Sequence, residues 1–270
     1  MTMLQDYFQR IGFTGSPAAD LSTLREIHRL HPAAIPFENI DVLAGDGIDL
    51  AMDRIVDKLI GRGRGGYCFE QNWLLMTALR ELGFDVEPLM ARVVWQQPVG
   101  APAGPKTHLV LRTLVDGEPW LVDVGFGGMV LTAPLILTPD LQQPTPHETF
   151  RLIEQRFGYQ LEVLLSQQWQ PVYQLSMEPQ QPIDIEVANW YTAAHPNSKF
   201  RHHLMAARVT DETRYTLLNN RLAVRHQGQP ADYQLLDTAG LARVLEEQFL
   251  LPVSDDWFEL LQRQVEIAQG

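Results

Sequence analysis

Arg64-Gly65-Gly66-Tyr67-Cys68-Phe69-Glu70-Gln71-Asn72 joins a glycine pair to the start of a helix and puts the only cysteine of this 270-residue chain at the junction. Leu75, Met76, Leu79 and Leu82 recur at helical spacing, which predicts a helix from Cys68 to Leu82 closed by Gly83. The first N–H groups of a helix lack partners and carry partial positive charge, so a thiol there loses its proton readily and becomes a nucleophile. A lone cysteine is more often a small buried hydrophobe; the glycines before it and the helix after it tip the reading toward chemistry.

Working outward, residues 1–85 read as helical. Thr2–Ile11 is amphipathic. Thr23 and Glu26 fit a capping box before the stripe Leu21, Leu24, Ile27 and Leu30, with Pro32 and Pro36 ending that run. A further helix is expected over 50–61. From 84 the period falls to two: Phe84–Trp95, Thr107–Val115, Pro119–Val124, Thr149–Glu154, Tyr159–Leu165 and Gln168–Leu175 read as strands of an antiparallel sheet or small barrel. The last part mixes a helix over Ile183–Ala194, short strands at Leu204–Val209, Tyr215–Leu218 and Leu222–Arg225 with an Asn219-Asn220 turn, and helices near 238–250 and 255–268.

The strand pair after the cysteine helix carries the next inference. Asp116-Gly117 marks a two-residue hairpin turn, so Val115 faces Glu118 and Asp123 falls opposite Val110. His108 and Asp123 are then diagonal neighbours on one face, roughly 7–8 Å apart at the backbone and within reach of a hydrogen bond. An odd loop would put them on opposite faces. A carboxylate in the apolar run Trp120-Leu121-Val122-Asp123-Val124 needs a partner. It would fix the tautomer of His108 and leave the other ring nitrogen to take a proton from Cys68, giving a Cys-His-Asp triad. The other histidines read as surface or structural residues, and His202-His203 as a solvated pair. Gly125-Phe126-Gly127-Gly128 follows Asp123 directly and lets a ligand approach the backbone, although a strand-ending turn explains the glycines as well.

Composition limits the alternatives. Hydrophobic residues make up 45% of the chain and the mean hydropathy is −0.14, which describes a globular protein with an ample core. No apolar run has the length of a membrane span, and residues 1–20 lack the pattern of a secretory signal. One cysteine excludes a disulfide framework and a multi-cysteine metal site, and points to a reduced cytoplasmic setting. Net charge is −12 and no third of the chain is basic, so nucleic-acid binding is not expected. Any anionic substrate must be held by local groups. A homo-oligomer is open.

With these pieces placed, the sequence resembles the arylamine N-acetyltransferase family over nearly its whole length. The most specific match is Arg64–Asn72; Pro36-Phe37-Glu38-Asn39, Thr107-His108-Leu109, Asp123-Val124-Gly125-Phe126-Gly127 and His195-Pro196-Asn197-Ser198-Lys199-Phe200 follow in order. The resemblance implies an α+β chain of three segments: a helical bundle (1–85) carrying the nucleophile, a β-barrel (86–190) carrying the histidine and the acid, and an α/β lid (191–270). It implies Cys68 as the acetyl-accepting nucleophile, His108 as base and Asp123 as orienting acid. Phe126 and Phe37 would line the acceptor pocket, and Gly125, Gly127 and Gly128 would lie near coenzyme A. The chain lacks the long insertion of vertebrate members and is similar to bacterial ones. The co-substrate implied is acetyl-coenzyme A, with no metal, and the acceptors are arylamines, arylhydrazines or N-arylhydroxylamines in a ping-pong reaction. For the coenzyme A phosphates, Lys106, Lys199 and Arg201 are candidates. Arg64 either pairs with Glu38 or Asp41 or touches those phosphates, and the first reading is favoured. A cysteine hydrolase of protease or transglutaminase type would use the same triad and is the alternative.

Overall fold

A computed structural model describes residues 2–98 and 100–268. The N-terminal part holds α1 (Met3–Ile11), α2 (Leu21–Ala34), the two-residue strand β1 (Phe37–Glu38), and the short helices α3 (Ile40–Ala44) and α4 (Met52–Val56). The long helix α5 (Cys68–Glu81) completes it. α2 begins earlier than the Thr23–Glu26 box implied: the Asp20 side chain accepts the Thr23 N–H at 2.7 Å and starts the helix at Leu21. Pro32 does not end it, because the helix runs on to Ala34. The expected helix over 50–61 is α4 followed by a π-helical turn, Asp57–Gly61.

α5 is buried on most sides. Leu74, Leu75 and Leu79 pack with Tyr7 and Ile11 of α1 and Leu24 and Ile27 of α2. Its other flank meets the barrel through Leu111 and Val122.

The barrel is an antiparallel sheet of β2 (Asp85–Val93), β3 (His108–Val115), β4 (Glu118–Val122), β5 (Leu135–Ile136), β6 (Gln143–Pro144), β7 (Thr149–Gln155), β8 (Gly158–Leu165) and β9 (Gln168–Ser176). Its order is β5-β4-β3-β2-β9-β8-β7-β6. The two edge strands come together through a side chain: the Gln143 amide accepts the Ile136 N–H at 2.8 Å and donates to the Ile136 carbonyl at 2.9 Å. A glutamine thus stands in for a strand partner and nearly closes the barrel. Inward-facing Leu89, Val110, Leu121, Phe150, Leu161 and Val172 fill it.

After the barrel come α6 (Pro182–Ala194), β10 (Met205–Val209), β11 (Thr213–Leu218), β12 (Arg221–His226), β13 (Ala231–Leu235), α7 (Thr238–Glu247) and α8 (Phe258–Ile267). The second sheet runs β1-β10-β11-β12-β13. Its first member comes from the N-terminal part, so Phe37-Glu38 stitches the segment before α5 to the C-terminal sheet. Gly66 joins as well: the Glu38 N–H donates to the Gly66 carbonyl at 3.1 Å, and the Gly66 N–H to the Pro36 carbonyl at 3.3 Å. Among the described residues, no helix is long and apolar enough to cross a membrane.

Candidate active site

Cys68 is placed by what holds the first turn of α5. Gly65 and Gly66 are required by contact, not by φ. A methyl on Gly65 would sit 2.2 Å from the Pro36 carbonyl oxygen, and one on Gly66 would sit 2.7 Å from a Glu70 carboxylate oxygen. Glu70 reaches back and accepts the Tyr67 N–H at 3.0 Å, capping the helix from within. Its other oxygen meets the Lys58 ammonium at 2.7 Å, and Lys58 meets Asp41 at 2.7 Å. Arg64 pairs with Glu38 and Asp41, each at 2.7 Å. The favoured reading of Arg64 is therefore the observed one: it is buried and committed to those carboxylates. Burial opposes the charge on Lys58, yet Glu38, Glu70 and Asp41 outweigh it and hold the ammonium above the ordinary lysine range. For Glu70 burial wins and the carboxyl lies above its usual value despite Lys58.

β3 and β4 deliver the other two groups. Asp116 (φ +52°) and Gly117 (φ +80°) form the turn, and Val115 pairs with Glu118, as the hairpin reading required. His108 Nε2 and Asp123 Oδ2 lie 2.7 Å apart, both buried. Asp123 Oδ1 accepts from Asn72 Nδ2 and from the Gly125 N–H, both at 2.9 Å. Burial would raise the Asp123 pKa, but the His108 charge and these donors bring it below the usual carboxylate range. Burial would likewise push His108 down. The Asp123 charge and hydrogen bond, with a further bond to Cys68, overcome it and raise the imidazole to about 10. Since Nε2 belongs to Asp123, Nδ1 is the nitrogen left for the thiol. Cys68 Sγ also lies 3.7 Å from the Thr107 carbonyl oxygen.

Three comparisons with known proteins bear on this arrangement. A family model described as N-acetyltransferase matches residues 20–258. The arylamine N-acetyltransferase of Escherichia coli K12 is 41% identical, with 94% of this chain and 90% of that protein covered. The arylamine N-acetyltransferase / N-hydroxyarylamine O-acetyltransferase of Salmonella typhimurium LT2 is 38% identical over 94% of this chain and 90% of that protein. The solved structure of Mycobacterium marinum arylamine N-acetyltransferase in complex with CoA superposes with a TM-score of 0.93 at 38% identity, covering 98% of both chains. The chain belongs to the arylamine N-acetyltransferase family. The α+β architecture expected from the motifs is the family's own.

Asn72, which the sequence reading gave no part, is a buried hydrogen-bond partner of Asp123. It sits one helical turn after Cys68, on the same face of α5, and that spacing was the available signal. Its amide donates to Asp123 and to the Leu109 carbonyl, and its oxygen accepts the Val124 N–H at 3.0 Å. Two of the histidines read as surface or structural residues lie directly behind the site. His28 Nε2 accepts the Asp123 backbone N–H at 3.2 Å. His31 joins Tyr7 to Gln71, whose amide donates to the Pro36 and Gly66 carbonyls of the nucleophile loop. Burial holds both neutral, His28 at about 4 and His31 at about 3.

The glycine loop is closely packed. The Gly125 N–H is spent on Asp123, so it does not face a ligand. A methyl there would lie 2.7 Å from Cys68 Cα, whereas one on Gly127 would press the Phe37 ring at 3.2 Å. The Phe126 ring stands edge-on to His108 at 5.1 Å and lies 5.4 Å from Tyr173, while Phe37 lies 6.2 Å from Phe200. Tyr173 is buried beside His108 with no hydrogen-bond partner for its hydroxyl. Among the phosphate candidates, Arg201 donates to the Ala194 carbonyl at the end of α6. Among the described residues, no group of His, Cys, Asp and Glu could hold a metal ion.

Proposed function

We propose that this chain carries an acetyl group from acetyl-coenzyme A to arylamines, arylhydrazines or N-arylhydroxylamines through an acetyl-Cys68 intermediate. The observation that carries the reading is the hydrogen bond of 2.7 Å between His108 Nε2 and Asp123 Oδ2, which leaves Nδ1 to the cysteine at the start of α5. His108 already holds the thiol proton at Nδ1 before substrate arrives, and Asp123 stabilises this resting imidazolium. The Cys68 sulfur attacks the thioester carbonyl, its bond to the acyl carbon forms, and the bond to the coenzyme A sulfur breaks. That sulfur leaves with the proton from His108. The amine nitrogen then attacks the acetyl-enzyme, His108 accepts its proton, and the Cys68 sulfur departs. The Tyr67 N–H is held by Glu70, so the N–H of Cys68 itself is the group at the helix start that meets the developing oxyanion. Flat, apolar acceptors that are neutral at pH 7 suit stacking against Phe126, with Phe37 as a second aromatic lining residue. The work divides along the chain: 1–85 supplies the nucleophile, 86–190 the base and acid, and 191–270 the lid, in a cytoplasmic setting where the thiol stays reduced.

Intact-protein mass spectrometry after acetyl-coenzyme A treatment tests this. One acetyl group is expected on the native protein and none on Cys68→Ala. Acetylation at another residue, or thioester loss as fast without an arylamine as with one, rejects transfer through Cys68.

A further inference from the structure

Three side chains from three helices form one uncharged polar chain that ends on the segment before Cys68. Tyr7 of α1, His31 of α2 and Gln71 of α5 are each 0% exposed, so each depends on the others for its hydrogen bonds. The Tyr7 hydroxyl lies 2.7 Å from His31 Nδ1, and His31 Nε2 lies 2.6 Å from Gln71 Oε1. Gln71 Nε2 then faces the Pro36 carbonyl at 2.8 Å and the Gly66 carbonyl at 3.1 Å, with the Ile35 carbonyl farther off at 3.3 Å.

The direction of every bond follows from the carbonyl end. Carbonyl oxygens only accept, so Gln71 Nε2 donates its two hydrogens there and Oε1 points to His31. His31 Nε2 therefore carries a hydrogen. Burial keeps the ring neutral, so Nδ1 is bare and accepts from the Tyr7 hydroxyl. A flipped Gln71 amide would set its oxygen against two other oxygens. One of the carbonyls so held matters most. The Gly66 carbonyl and the Tyr67 N–H belong to the same peptide unit. Gln71 holds its C=O, and Glu70, the preceding residue of α5, holds its N–H at 3.0 Å. Two adjacent side chains of one helix thus clamp both ends of the peptide that leads into that helix.

We propose that Gln71 is a positioning residue for Cys68: with Glu70 it locks the Gly66–Tyr67 peptide plane, and His31 and Tyr7 hold its amide in the orientation that does so. This rests on the reading above that Cys68 accepts the acetyl group. A peptide unit is planar, so fixing its N–H and its C=O together fixes the plane from which Cys68 is carried one residue on. With the Gln71 amide gone, the plane is free to turn about the single bond to Glu70. The sulfur has to stay within hydrogen-bond reach of His108 Nδ1, and a displacement of about 1 Å costs a reacting group roughly a hundredfold in rate.

Two rates on the intact protein read this. One is single-turnover acetylation across a range of acetyl-coenzyme A concentrations. The other is alkylation of Cys68 by iodoacetamide, which needs no co-substrate. Gln71→Met keeps the bulk and removes the amide. It is expected to slow both rates about tenfold, while the acetyl-coenzyme A concentration giving half the maximal rate holds within about twofold. His31→Leu is expected to slow both several-fold. His31→Gln is expected to stay within about twofold of the native rates, because an amide can accept from Tyr7 and donate to Gln71 as the neutral ring does. Tyr7→Phe removes one oxygen only and carries the test, with a loss in the same direction, if Gln71→Met does not fold. Native rates in the variants that fold overturn the positioning role. So does equal loss in His31→Leu and His31→Gln, or a loss that saturating acetyl-coenzyme A abolishes. A protein whose Cys68 alkylates with this dependence yet never takes an acetyl group keeps the positioning and removes the acetyl-transfer reading.

Discussion

Asp123 receives His108, the Asn72 amide and the Gly125 N–H on one buried carboxylate. Those donors are why it stays ionised without solvent, and its charge is why His108 stays protonated. Asp123→Asn removes that charge and turns an acceptor toward a donor at Nε2. Acetylation of Cys68 by acetyl-coenzyme A is expected to slow by about three orders of magnitude, measured as a single-turnover rate. A rate within tenfold of the native one removes Asp123 from the triad. His108 and Asp123 were legible in the sequence because a two-residue turn fixes the register and the register fixes the face. Asn72 and His28 were not, since their partners lie on other elements.

At the scale of elements, the start of α5 depends on a turn of unusual geometry. The π-helical turn Asp57–Gly61 sends Lys58 inward to meet Glu70, which caps Tyr67. Both side chains are almost fully buried. Lys58→Gln leaves the Glu70 carboxylate unpaired near Glu38, and is expected to cost about 3 kcal/mol of stability. The pair Lys58→Gln with Glu70→Gln, which keeps two hydrogen-bonding amides, should recover more than half of that. Denaturant midpoints measure both, and no recovery in the double variant would show that the ion pair is not the coupling. Helices and strands themselves were readable from period and turn residues, from α5 to the Asp116-Gly117 hairpin. β1, α3, β5, β6 and β13 were not, because two to five residues carry too little pattern. The Thr23–Glu26 box misled because Asp20 caps more strongly three residues upstream.

The whole molecule couples its stability to pH through groups around the site. His28 and His31 are neutral when folded, at about 4 and 3, against an ordinary value of 6.5. Below pH 6.5 the unfolded chain binds protons that the folded chain refuses, so stability falls with acid, by about 2 kcal/mol per histidine at pH 5. His108 acts in the opposite sense. Raised to about 10, it contributes stability that is full below 6.5 and is lost progressively as pH rises to its folded value. Unfolding free energies from pH 4 to 10 should therefore peak near 6.5, and His31→Gln should flatten the acid limb. A curve still rising from pH 7 to 10 would contradict the charged state of His108. From its sequence alone the types of this protein's longer elements, the His108–Asp123 register and the junction carrying Cys68 were determined, because each follows from contacts within a few residues or across one hairpin. The tertiary structure alone decided that β1 stitches the loop before Cys68 into the C-terminal sheet, that Gln143 nearly closes the barrel, and that Asn72 and His28 brace Asp123. These contacts join residues 7 to 170 positions apart, and no local period encodes which distant surfaces exclude water together.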